Sequence, residues 1–179
     1  MRHQWLIVAV MAALARPAAA DALRLYSYDP NNEETRAAAG PLTFEFRQGL
    51  FHITMISVRA TEAKATAYLK PAAERDLGPD GLRPLIGDAP QRDLYQVQPD
   101  QEGSALIAAF CPGARRAWMA FGKPRLGRDL RVFVLGPTPQ GATVHVCRTF
   151  DFGFHGAWQL PPTNKVPPPI ASESPFPRY

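Results

Sequence analysis

The sequence predicts an α+β domain: a single, mainly antiparallel sheet of several strands with one or two packed helices. Three observations lead there. Short runs of alternating apolar and polar residues recur along the chain, as in Leu42, Phe44 and Phe46 against Thr43, Glu45 and Arg47. Gly, Pro, Asn and Asp separate these runs, which is turn chemistry. Only two segments carry helix-type ends, and no internal repeat is present.

The elements follow in order. Leu23 to Tyr28 reads as a strand, after which Asp29-Pro30-Asn31 turns into a short helix from about Asn32 to Ala39. Glu33 and Glu34 favour its N-terminal dipole, and Gly40-Pro41 ends it. Leu42 to Arg47 is a half-buried strand, and the runs Phe51 to Thr61 and Ala65 to Leu69, divided by Glu62-Ala63-Lys64, make a β-hairpin. Residues 71–91, rich in Pro and Gly and without a sustained period, read as a long surface loop with room for a brief helix near Ala72 to Leu77. Asp93 to Gln98 is a strand. Asp100 caps a second helix that runs to Phe110, with Leu106, Ile107 and Phe110 on one face. Beyond it, Ala117 to Phe121, Leu130 to Leu135 and Thr143 to Leu160 are strands.

The two termini differ from this middle. Arg2 and His3 precede an apolar run from Trp5 to Leu14, and Arg16-Pro17 breaks it before Ala18, Ala19 and Ala20. This is the pattern of a secretory signal peptide over residues 1–20, cut before Asp21, and the run is too short for a membrane-spanning helix. Residues 161–179 contain seven prolines and lack apolar periodicity, so they read as an extended, disordered tail. The domain is therefore 21–160. The expected location is periplasmic or secreted, with no transmembrane segment after cleavage. Loss of Arg2 and Arg16 with no acid lowers the formal charge from +4 to +2. With export, that mild charge disfavours nucleic acid as a partner.

Cys111 and Cys147 are expected to bond to each other, because an exported chain oxidises such a pair. No Cys-x-x-Cys motif points to redox chemistry instead. The strand from Thr143 to His155 reads with Val144, Val146, Phe150, Phe152 and Phe154 on one face, interrupted by Arg148. His145, Cys147, Asp151 and His155 fall on the other. Along a straight strand Asp151 and His155 stand about 13 Å apart, and His145 about 20 Å from Asp151. One metal bridges those gaps only if Gly153 adds a bulge or His52 joins from another strand, so no metal site is predicted. No cofactor signature occurs, and the common hydrolase and nucleotide motifs are absent. Asp151, His155 and His145 are thus weak catalytic candidates.

A basic cluster, Arg115, Arg116, Lys123, Arg125, Arg128 and Arg131, faces only Asp129 in its span and straddles a predicted hairpin. Such side chains at one loop tip suit an anionic lipid, glycan or acidic protein, and equally suit a hairpin kept soluble by its charges. The function expected from the sequence is an exported, non-catalytic module that binds a protein or an anionic component of the cell envelope. The alternative is a small exported hydrolase acting on cell-wall material through Asp151, His155 or His145.

Overall fold

The computed structural model describes residues 22–48, 53–138, 141 and 143–160. The predicted signal peptide, the Pro-rich tail and His52 lie outside the described residues. Eight strands run β1 (Ala22–Pro30), β2 (Leu42–Gln48), β3 (Ile53–Ala60), β4 (Ala65–Pro71), β5 (Asp93–Val97), β6 (Trp118–Phe121), β7 (Leu130–Pro137) and β8 (Val144–Leu160). Each pairs antiparallel with the next, and β8 returns to pair with β1. The expected α+β domain, a mainly antiparallel sheet with one or two packed helices, is therefore corrected: the sheet closes into an eight-stranded barrel with only a few short helices. Closure depends on the 17-residue β8, which pairs with β7 from Val144 to Phe152 and with β1 from Phe152 to Leu160. One strand thus serves two neighbours and leaves no free edge.

Alternation decides which side chains enter. Tyr28, Leu42, Phe44, Val58, Phe121, Val132, Phe150 and Phe152 are buried in one apolar cluster inside the barrel. Their rings meet edge to face or tilted, with centroids of Phe44 and Phe121 5.3 Å apart and of Phe110 and Phe150 4.9 Å apart. Charged and hydroxyl residues such as Thr43, Glu45, Ser57, Arg59 and Thr66 occupy the outward phase of β2, β3 and β4. A transmembrane barrel shows the reverse, an apolar band outside and a polar lumen.

Helix α1 (Glu33–Ala38) lies in the β1–β2 connection; Asn32 caps it by accepting from Thr35 N at 2.7 Å, and Gly40 ends it at φ +62°. Residues 72–92 form more than a surface loop. A 3-10 turn (Glu74–Leu77) and α2 (Arg83–Ile86) lay Leu77, Leu82, Leu85 and Ile86 against Leu94, Trp118, Ala120 and Leu135 on the outer wall. This second cluster explains why every residue of β6 is buried: Met119 and Phe121 face the barrel interior, and Trp118 and Ala120 face the loop.

Helix α3 (Gln101–Phe110), in the β5–β6 connection at the same end as α1, turns Leu106, Ile107 and Phe110 into the barrel core. Asp100 caps it by accepting from Gly103 N at 2.7 Å. The Cys111–Cys147 disulfide then ties its C-terminus to β8. Cys147 is the extra residue of a bulge, since Val134 pairs with Arg148 while Leu135 pairs with Val146. Gly136 leaves room for the bridge; a Cβ there would overlap Cys111 Sγ and come within 2.9 Å of Cys147 Sγ. The bulge also reverses the phase of β8. Val144 and Val146 consequently join the outer cluster while Phe150, Phe152 and Phe154 face inward, so the five do not share the single face read from their spacing.

Removing the disulfide with Cys111→Ala and Cys147→Ala should lower unfolding free energy by about 2 to 4 kcal/mol, through the loop it closes in the unfolded chain. Urea denaturation of the double variant measures this. Tyr28 yields a second expectation. Burial, then the neighbouring Tyr26, push its phenol from 10.0 up to about 12. Its contribution is complete below pH 10.0 and is lost as pH climbs toward about 12, because the unfolded chain ionises first. The Tyr28 hydroxyl is also buried without a hydrogen-bond partner among the described residues. Tyr28→Phe should therefore melt no lower than the parent at neutral pH and lose less stability on the alkaline limb, as followed by circular dichroism.

Candidate functional site

The three polar candidates on β8 are each engaged separately. Asp151 accepts from Arg131 Nε at 2.6 Å, and this hydrogen bond to a carboxylate raises the guanidinium pKa. Asp151 also holds α1 through its backbone, since its N–H donates to Thr35 Oγ1 at 3.2 Å. His155 donates from Nδ1 to Asp29 Oδ2 at 2.7 Å across the β1–β8 seam. It is the extra residue of a second bulge, where Ser27 pairs with Gly156 and Tyr28 with Phe154. His145 lies on the far side of the Cys147 bulge, with Nε2 3.8 Å from Cys147 Sγ. Two bulges therefore separate what the straight-strand pattern put on one face. Asp151, His155 and His145 do not converge.

Cys111, His145 and Cys147 hold potential ligand atoms within 4.8 Å of one another. With the two sulfurs bonded to each other, neither is a thiolate, and the trio lacks the soft ligands a zinc or copper ion would take.

The predicted basic hairpin exists as β6–β7, but the barrel divides the six residues. Alternating connections fall at opposite ends of an up-and-down barrel. Arg115 and Arg116 precede β6 at the end closed by α1 and α3, and Lys123, Arg125 and Arg128 lie in the 122–129 connection at the other end. Arg131, on β7, is committed to Asp151. Arg115 and Arg116 line a surface cleft of about 560 Å³ with Gln96, Gly113, Pro137 and Thr138, and the Arg116 guanidinium sits 5.6 Å from the Trp118 ring centroid. At the opposite tip Leu126 is 61% exposed, flanked by Arg125 and Arg128. Asp129 does not neutralise that tip by pairing; its Oδ1 accepts from Phe154 N at 3.3 Å and anchors the loop to β8. Lys123, Arg125 and Arg128 make no ion pair among the described residues.

A further groove, of about 430 Å³, lies on the outer wall between β8 and β4 and includes Leu25, Glu45, Arg59 and Trp158. Sequence inspection passed over this wall because the same strands draw attention to their inward aromatic residues. The usable signal is the polar phase itself, Thr43 and Glu45 on one strand and Ser57 and Arg59 on the next. The Asp29–His155 pair has no comparable signal, being 126 residues apart in the chain.

No protein-family model, no curated protein and no solved structure matches the chain. Asp151→Asn, which breaks a partly exposed ion pair, should cost less than about 1 kcal/mol in chemical denaturation.

Proposed function

We propose that the protein is an exported, soluble, non-catalytic module that binds a protein or an anionic component of the cell envelope. The observation that carries this reading is the 122–129 tip, where Lys123, Arg125 and Arg128 are exposed together with Leu126 while the only acid of the connection is turned into a backbone anchor. Unpaired cations attract an anionic surface over a screened distance, and an exposed leucine among them adds apolar contact once the surfaces meet. Arg115 and Arg116 offer a second basic surface at the opposite end.

Other features agree with export and with binding rather than catalysis. Disulfides persist in oxidising compartments, and Cys111–Cys147 is one. No helix among the described residues is long and apolar enough to cross a membrane. The polar outer phase of β2 to β4 suits water. Catalysis by Asp151, His155 and His145 would need them to meet at one reacting atom, and they contact three different partners instead.

Charge reversal at Arg125 and Arg128 tests the reading. The Arg125→Glu, Arg128→Glu variant should bind isolated envelope fractions about tenfold more weakly at low salt, a change of about 1.4 kcal/mol, with a flatter salt dependence. Asp151→Ala and His155→Ala should bind as the parent does in the same sedimentation assay. Normal binding by the charge-reversed protein, together with loss of the biological phenotype on changing Asp151 or His155, would replace the binding module with the hydrolase alternative.

A further inference from the structure

The outer wall of the barrel carries a groove with a chemistry of its own. Strand register lines up two neighbouring rows of outward residues. In one, Trp158 on β8 stands opposite Leu25, Leu25 opposite Glu45, Glu45 opposite Ser57, and Ser57 opposite Tyr68. In the other, Ser27 stands opposite Thr43, Thr43 opposite Arg59, and Arg59 opposite Thr66. Members of both rows line the groove of about 430 Å³, a size within the ~300 to 1,000 Å³ range of small-molecule sites.

The polar groups in the groove are held in place before any ligand arrives. Ser57, only 4% exposed, donates its hydroxyl to Glu45 Oε2 at 2.8 Å and fixes the carboxylate. Arg59 Nε donates to Thr66 Oγ1 at 3.1 Å, which orients the guanidinium and spends one of its five N–H donors. The Ser27 and Thr43 hydroxyls lie 2.9 Å apart. One carboxylate and one guanidinium balance each other, so the groove favours no net charge. Trp158 is 49% exposed, and Gly156 makes space for its indole, since a Cβ there would be 3.0 Å from Trp158 Cη2. Tyr68, 59% exposed, continues the first row beyond Ser57.

We infer that this groove binds a neutral oligosaccharide, with a pyranose ring laid on Trp158 and its hydroxyls hydrogen-bonded to Glu45 and Arg59. A sugar combines what the lining requires: no charge, several hydroxyls that both donate and accept, and one apolar ring face. A carboxylate accepts from ring hydroxyls, and a guanidinium donates to them. A lipid chain would take water from the charges of Glu45 and Arg59 and offer them no new hydrogen bond, and an anion would meet Glu45. Glu45 is the one carboxylate among the described residues that line the groove, whereas glycoside hydrolysis commonly needs two, so the sugar is held and not cleaved. The site is separate from the cationic 122–129 tip and does not depend on it.

Fluorescence titration of the exported protein with maltotetraose, cellotetraose and chitotetraose provides the test, with isothermal calorimetry as a second readout. At least one of these sugars should give a saturable response that is insensitive to salt. Trp158→Ala and Glu45→Gln should each weaken binding about tenfold, or about 1.4 kcal/mol, while melting as the parent does. Arg59→Ala gives a second polar probe should Glu45→Gln disturb the fold. The inference is overturned if none of the three sugars binds at millimolar concentration, or if one binds with equal affinity after Trp158 and Glu45 are changed. Loss of sugar binding on reversing Arg125 and Arg128 would overturn it as well, by moving the site to the basic tip.

Discussion

The pairing of the first strand with the last is the constraint on which the other features depend. Without the Leu23–Leu160 to Pro30–Phe152 ladder, β1 would present an open edge, and Tyr28, Phe44 and Phe152 would share a half-open sheet in place of an enclosed core. The seam is reinforced by the Asp29–His155 contact and by Asn31 N, which donates to Asp151 O at 2.9 Å and carries the pairing into the turn before α1. The Cys111–Cys147 bridge works at the neighbouring β7–β8 ladder, where it keeps α3 over the barrel end.

Local chemistry made the elements legible. Turn residues and two-residue alternation locate the strands, and Asn32 and Asp100 cap helices where a short polar side chain precedes a first turn. Closure was not legible, because alternation says which face is apolar and nothing about whether the sheet bends back on itself. The extra residues at Cys147 and His155 were equally silent in the pattern, since a bulge shifts phase without altering composition. For that reason the polar side chains of β8 share one face in the sequence pattern and not in the barrel. The basic residues lie along one β6–β7 hairpin and its approach, but the alternating ends of a barrel separate Arg115 and Arg116 from Arg125 and Arg128. Residues 71–91 read as a surface loop because Leu77, Leu82 and Leu85 lack a regular period; their order comes from the wall they cover.

A barrel filled with rings leaves its polar side chains to the wall and the connections. Core packing and surface chemistry then rest on opposite phases of the same strands. Phe44 and Phe46 hold β2 from inside while Thr43 and Glu45 face the outer groove. Substitutions on the outward phase can alter chemistry without opening a cavity in the core, where each lost methylene is costly.

The disulfide divides the chain in a way that bears on the order of folding. It joins positions 36 residues apart, and that interval holds β6, β7 and the start of β8, a meander whose neighbours are consecutive in the chain. Loop-closure entropy favours such nearby pairings over the union of strands at opposite ends of the sequence. The two sulfurs can therefore be brought together by the C-terminal half before β1 has found its partner. Oxidation at that stage would preserve an open sheet with β8 already paired to β7, and the seam would be the last ladder to form.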